Sequence, residues 1–247
     1  MSKAFIIQAR LSSTRLPNKI LLPFYQDKSI LDLLIDKLSC FSDYKIILAT
    51  STNKENDLLE EIANKRNILC FRGSENDVLK RFIDAAKFFN VTDIIRICSD
   101  NPFLEMESLK ELIECDKSGV DYVSFKVNGM PSIKTHFGFW AEYVTLSALE
   151  KVMNLTSDNL YHEHVTNYIY AHNELFILKW INTNSVLEGR NDIRTTIDTK
   201  EDFCVVQKMY KTLKDIGKLK IGDVVDYLDK NPLCLNSMKQ QIIKNSK

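Results

Sequence analysis

Three cations and three hydroxyl side chains crowd into one short stretch near the start of the chain, Gln8-Ala9-Arg10-Leu11-Ser12-Ser13-Thr14-Arg15-Leu16-Pro17-Asn18-Lys19. Arg10 and Arg15 can each offer phosphate oxygens a planar fork of donors, and Lys19 adds a compact point charge. The hydroxyls of Ser12, Ser13 and Thr14, with successive backbone N–H groups, could line the same anion. Such a set suits a polyphosphate, although a solvated basic loop would use the same residue types. A second candidate is Asp100, within Cys98-Ser99-Asp100-Asn101-Pro102. A carboxylate in a turn closed by proline can ligate Mg²⁺, which prefers hard oxygens and phosphate partners, but Ser-Asp-Asn-Pro is also an ordinary turn. Asp198 stands just before a helical pattern, where capping is its simplest use. His162 and His164 lie two apart, so on a helix they point to different sides and do not form a zinc pair.

The elements around these residues alternate. Ala4-Phe5-Ile6-Ile7 reads as a buried strand, and the basic stretch follows it directly. From Ser29, a capping candidate, Ile30, Leu31, Leu34, Ile35 and Leu38 recur at helical spacing. Further strands are expected at 45–49, 68–71, 93–97, 122–127, 174–181 and 194–198, and further helices at 54–65, 77–89, 105–117, 145–153, 158–171, 200–214 and 221–228. Alternation of this kind predicts an α/β fold, a mixed and mainly parallel sheet flanked by helices. Loops at the carboxyl edge of such a sheet are where ligands bind, and both the basic stretch and Asp100 follow strands. Residues 128–144 break the pattern with Gly129, Pro131 and Gly138 among Phe137, Phe139, Trp140 and Tyr143. This segment is expected to be an inserted hairpin arm whose aromatics pack the core, seal a substrate pocket or meet a second subunit in a homodimer. Asp77 and Arg81, one helical turn apart, form a surface pair in the simplest reading.

The 247 residues carry 33 basic and 33 acidic side chains. Zero net charge gives no field for nucleic acid or an anionic membrane, so any anion site must be local. No apolar stretch approaches the ~18 residues of a membrane span, and Arg10 closes the first apolar run too early for a secretory signal. A cytoplasmic location is expected. Six scattered cysteines, without a C-x-x-C pair, read as reduced thiols. One domain over 1–235, followed by a frayed tail at 236–247, is the economical division.

Taken together, the order and spacing of Ile6–Arg10, Ser13–Lys19, Phe71–Leu79, Cys98–Pro102, Glu163–Thr166 and Arg194–Asp202 resemble the cytidylyltransferase family of the spore-coat polysaccharide type, related to the CMP-KDO and CMP-acylneuraminate synthetases. The resemblance covers nearly the whole chain. It implies one α/β domain of nucleotide-diphospho-sugar transferase (Rossmann-like) type, using CTP and Mg²⁺ to activate a sugar, sugar acid or sugar or polyol phosphate with release of pyrophosphate. By the same resemblance Arg10, Ser13, Arg15 and Lys19 hold the triphosphate, and Asp100 and Asp198 bind Mg²⁺. Arg10, Lys19, Asp100 and Asp198 are then the catalytic set, while Gln8, Ala9, Arg72, Asp77, Cys98 and Ser99 complete the nucleotide contacts. Apart from the resemblance, which is weakest over the arm, Lys134, His136, Trp140 and Glu142 of the arm are expected to contact the small-molecule acceptor together with Arg194, and Glu163 and His164 either to hold that substrate or to assist a proton transfer. The family usually carries glycine where this chain has Ser12 and Asn18. Asparagine tolerates a left-handed backbone, whereas serine is the less comfortable substitute.

Two rivals compete. A glycosyltransferase of the same fold class would usually hold its metal with Asp-x-Asp, but the residues two positions from Asp100 are Cys98 and Pro102. A non-catalytic nucleotide-binding module would bind without releasing pyrophosphate.

Overall fold

The computed structural model describes residues 2–183 and 185–245. In chain order its main elements are β1 (Lys3–Gln8), β2 (Pro23–Tyr25), β3 (Lys28–Ser29), α1 (Ile30–Leu38), β4 (Lys45–Ser51), α2 (Asp57–Lys65), β5 (Leu69–Gly73), α3 (Val78–Phe88), β6 (Asp93–Cys98), α4 (Met106–Glu114), β7 (Tyr122–Val127), β8 (Met130–Pro131), β9 (Glu142–Thr145), α5 (Leu146–Leu155), α6 (Asn159–Glu163), α7 (Asn167–Ala171), β10 (Leu178–Asn182), α8 (Lys200–Asp215), α9 (Ile221–Lys230) and α10 (Pro232–Asn245). The main sheet runs β10-β7-β9-β6-β1-β4-β5, with β8 paired to β7. β9 is antiparallel to both neighbours, while the pairs β6-β1, β1-β4, β4-β5 and β7-β10 are parallel. The expected α/β class is thus observed.

Residues 4–7 of β1 are wholly apolar because helices cover both faces of the sheet there. Phe5 and Ile7 pack with α1, α4, α8 and α9 on one face; Ala4 and Ile6 pack with α3, α5 and α7 on the other. Ser29 caps α1 in a reciprocal box with Asp32, and Thr199 caps α8 in a box with Asp202. Thr199 therefore does the capping suggested above for Asp198, whose carboxylate is engaged by Lys19, Arg15 and Arg194 instead.

Four expectations need correction. Residues 194–198 form no strand: Thr195 N–H donates to the His136 carbonyl at 2.9 Å and Ile197 N–H to the Asp100 carbonyl at 3.2 Å, so this segment clips two loops together. The single helix at 158–171 is two short helices, broken where Val165 and Thr166 turn inward and become buried. The tail is not frayed as far as Asn245, because α10 buries Met238 and Gln241; Ser246 and Lys247 lie outside the described residues. Residues 128–144 begin as the β7–β8 hairpin, but the chain then re-enters the sheet as β9, and Phe137, Phe139, Trp140 and Tyr143 are buried. A second subunit on this segment would meet exposed Met130 rather than those rings.

Candidate active site

β1 and β6 lie side by side and parallel, with Gln8 opposite Cys98, so the loops that follow them open at the same edge. The loop after β1 is fixed at both ends. Leu11 N–H donates to the buried Asn56 side chain at 2.9 Å, and Asn18 N–H donates to the Leu11 carbonyl at 3.3 Å. Asn18 takes φ = 56°, the left-handed conformation anticipated for it, and this turn delivers Lys19 inward. Ser12 has no such backbone and its hydroxyl donates to Glu75 Oε1 at 2.9 Å.

Lys19 is the junction. Its Nζ lies 3.1 Å from Asp100 Oδ2, 3.3 Å from Asp198 Oδ1 and 2.5 Å from the Ile197 carbonyl oxygen. The clip made by 194–198 therefore brings together two carboxylates 98 positions apart and the amino-terminal cation. Burial works against the Lys19 ammonium, but Asp100 and Asp198 outweigh it and hold its pKa above the ordinary lysine value. Burial alone would raise the Asp198 pKa; Lys19, Arg15 and Arg194 instead hold it below the usual carboxylate range. Arg15 reaches Asp198 Oδ1 at 3.0 Å from the solvent side, and Arg194 reaches Oδ2 at 2.7 Å from within. Arg194 is itself buried against Asp202, with Nε 2.9 Å from Oδ1, and donates to His136 Nδ1 at 2.7 Å. Burial and the adjacent Arg194 push the His136 pKa down, so its ring stays neutral and accepts that bond.

Two cavities meet at this junction. One, of about 510 Å³, is lined by Gln8, Arg10, residues 12–15, Lys19, Glu75, Arg96, Cys98, Ser99 and the two carboxylates. Its neighbour, of about 600 Å³, is lined by Asn101, residues 132–136, Gly138, Trp140, Glu142 and Thr196. Cys98, Asp100, His164 and Asp198 belong to both walls. Burial pushes the Cys98 thiol up to about 11, so it is not a ready nucleophile.

Several predicted site residues are placed elsewhere. Arg72 is occupied by Asp57 at 2.6 Å and Glu60 at 2.9 Å, outside the cavity. Asp77 caps α3 and accepts from His162 at 2.8 Å, instead of pairing with Arg81. Arg194 sits behind Asp198 as its support, away from either cavity wall. Ala9 is buried with its N–H on the Ala49 carbonyl, and Glu163 faces Arg10 at 3.9 Å.

The sequence reading missed Arg96 and Glu75. Arg96 lies beneath the first cavity, paired to Glu142 at 2.5 Å; Glu142 also accepts from Tyr122 and from Thr166. A charged residue inside the apolar run Ile94-Ile95-Arg96-Ile97 was the signal for it. Glu75 gave none, because nothing in a loop sequence shows which cavity it borders.

The donor set fits Mg²⁺. Asp100 and Asp198 supply hard oxygens beside a polar cavity, with the Lys19 ammonium between them, and a magnesium ion that took over those oxygens would draw its remaining ligands from phosphate and water. Among the described residues no group of three or more His, Cys, Asp or Glu side chains could hold a metal without such help.

A fold with its ligand edge at the ends of β1 and β6, and a site that gathers cations about paired carboxylates, defines a nucleotidyltransferase architecture. The chain belongs to the cytidylyltransferase family, whose model matches residues 4–233. It is 31% identical over 235 residues to the spore coat polysaccharide biosynthesis protein SpsF of Bacillus subtilis, covering 92% of this chain and 94% of that one. An uncharacterized protein of Methanocaldococcus jannaschii is 38% identical over 233 residues, covering 94% and 92%. Among solved structures, a cytidylyltransferase from Leptospira borgpetersenii superposes with a TM-score of 0.79 at 28% identity over 95% of this chain and 97% of that one. A CMP:2-keto-3-deoxy-manno-octonic acid synthetase complexed with CTP shares the fold, with a TM-score of 0.64 at 12% identity over 86% of this chain and 99% of that one.

Proposed function

We propose that this enzyme transfers the cytidylyl group of CTP, with Mg²⁺, to a sugar, sugar acid or sugar or polyol phosphate used in surface polysaccharide or glycan synthesis. The observation that carries the reading is the Lys19–Asp100–Asp198 junction standing where two cavities meet. Likeness to SpsF, whose name places it in spore coat polysaccharide synthesis, supports the acceptor class.

An acceptor oxygen in the second cavity attacks the α-phosphorus of CTP in the first, and pyrophosphate leaves in line. The obstacles are bringing anions together and the charge that grows on the leaving group, so positioning and neutralisation supply most of the catalysis. Arg10, Arg15 and Lys19 gather the phosphates. Bound at Asp100 and Asp198, Mg²⁺ would neutralise phosphate charge at the point of transfer. Arg194 fixes the Asp198 carboxylate, and the neutral His136 ring fixes Arg194. Lys134 and Ser132 offer donors to a polar acceptor.

Pyrophosphate release from CTP, measured with Mg²⁺ and a panel of sugar acids and sugar phosphates, tests this reading. At least one acceptor should drive release. Binding of CTP without release across the panel would favour a non-catalytic module.

A further inference from the structure

One wall of the first cavity carries an acceptor that the phosphates do not need. Glu75 follows β5, three strands across the sheet from β6, and its side chain reaches back to the β1 loop. Its Oε1 is held by the Ser12 hydroxyl at 2.9 Å, and its Oε2 is buried with no hydrogen-bond partner among the described residues. The loop is anchored from behind by Arg81, wholly buried, which donates through Nη1 to the Ser74 carbonyl and, at 3.5 Å, to the Glu75 carbonyl. A buried carboxylate oxygen left unpaired is costly, and because Glu75 lines the cavity, a ligand N–H or O–H that reached Oε2 would satisfy it. A phosphate there would be repelled. The triphosphate goes with the cations Arg10, Arg15 and Lys19, which leaves the Glu75 carboxylate to the nucleoside.

We propose that Glu75 reads the exocyclic amine of cytosine, its Oε2 accepting an N4–H while Ser12 holds the other oxygen. The inference rests on the cytidylyl reading above and adds the group that tells CTP from UTP. A carboxylate is a matching acceptor for cytosine N4 when that edge is read directly, and uracil presents a carbonyl oxygen at the same place, opposing lone pair to lone pair. A ribose diol fits less well, since it usually takes both oxygens of a carboxylate and Oε1 is already engaged. Ser12, standing where relatives of the resembled type usually have glycine, thereby acquires a purpose in this chain.

Calorimetry of the full chain with Mg²⁺ and CTP, UTP, 2′-deoxy-CTP or N4,N4-dimethyl-CTP tests the assignment. The unaltered protein should prefer CTP to UTP by ~10-fold or more, as expected for a hydrogen bond to a charged group, and should bind the dimethyl analogue as weakly as UTP. Glu75→Gln should erode the CTP/UTP ratio by about 10-fold, since a carboxamide can also donate to uracil, and leave the CTP/2′-deoxy-CTP ratio unchanged. Equal binding of CTP and the dimethyl analogue would overturn the proposal, as would an unchanged CTP/UTP ratio in Glu75→Gln or a change confined to the 2′-deoxy ratio. The analogue needs no variant, so it decides the matter even if Glu75→Gln misfolds. Discrimination that depends on Glu75 in a protein releasing no pyrophosphate would uphold the base contact while ending the catalytic reading.

Discussion

Asp198 illustrates how much of the site depends on single atoms. Its two oxygens are divided between Lys19 and Arg15 on one side and Arg194 on the other, so losing its charge would leave the buried Arg194 with only Asp202 as a carboxylate partner. Asp198→Asn and Asp100→Asn should each lower turnover by ~10²-fold or more, the scale on which a preorganised electrostatic group acts, while circular dichroism remains native. Turnover within a few-fold of the parent would remove either residue from the site. The pH dependence of stability follows from the same contacts. The depressed Asp198 pKa contributes stability above the ordinary carboxylate value of ~3.9, lost as pH falls through its lower folded value. The raised Lys19 pKa contributes below ~10.4, lost as pH rises through its higher folded value. The junction itself should therefore leave stability flat between about pH 5 and 9, which pH-resolved urea titrations of the parent and a Lys19→Met variant can compare.

Loops and helices hold these residues through contacts with distinct signatures. The positive φ at Asn18 sets the turn before Lys19, and Asn18→Gly should keep the fold and the CTP affinity. Asn18→Ala should cost about 1 kcal/mol, from the left-handed strain of an alanine, measurable in the urea midpoint. Lys37, on α1, braces the Asp100 turn from below, its buried Nζ donating at 2.9 Å to both the Pro102 and Leu104 carbonyls. Burial, with Lys214 nearby, depresses its pKa to about 7. An unfolded lysine keeps its proton to ~10.4, so the unfolded chain binds more protons between those values and stability should rise with pH across that window. Lys37→Met should flatten that rise, and an unaltered pH profile in the variant would show that Lys37 does not titrate there. Ser29, Asp77 and Thr199 could be read as caps or turn residues from type and position alone. The kink at Val165-Thr166 could not, because it exists to bring Thr166 to Glu142, a partner 24 positions away.

At the scale of the molecule, the alternation of strand and helix was legible because the central strands are buried on both faces and read as unbroken apolar runs. β9 was hidden: its antiparallel pairing with β6 and β7 is non-local, and its first residue, Glu142, is a charge whose partner Arg96 lies 46 positions away. The same applies to residues 194–198, which look strand-like but spend their hydrogen bonds on the 136 and 100 loops. The basic loop and both carboxylates were visible as residue types, whereas their meeting at Lys19 is a product of the fold. A crystal soaked with CTP and Mn²⁺ tests that meeting most directly. The account predicts anomalous density for the metal between Asp100 and Asp198, the phosphates against Arg15 and Lys19, and the base toward Glu75. A triphosphate bound away from the Lys19 junction, or a metal that touches neither carboxylate, would contradict it.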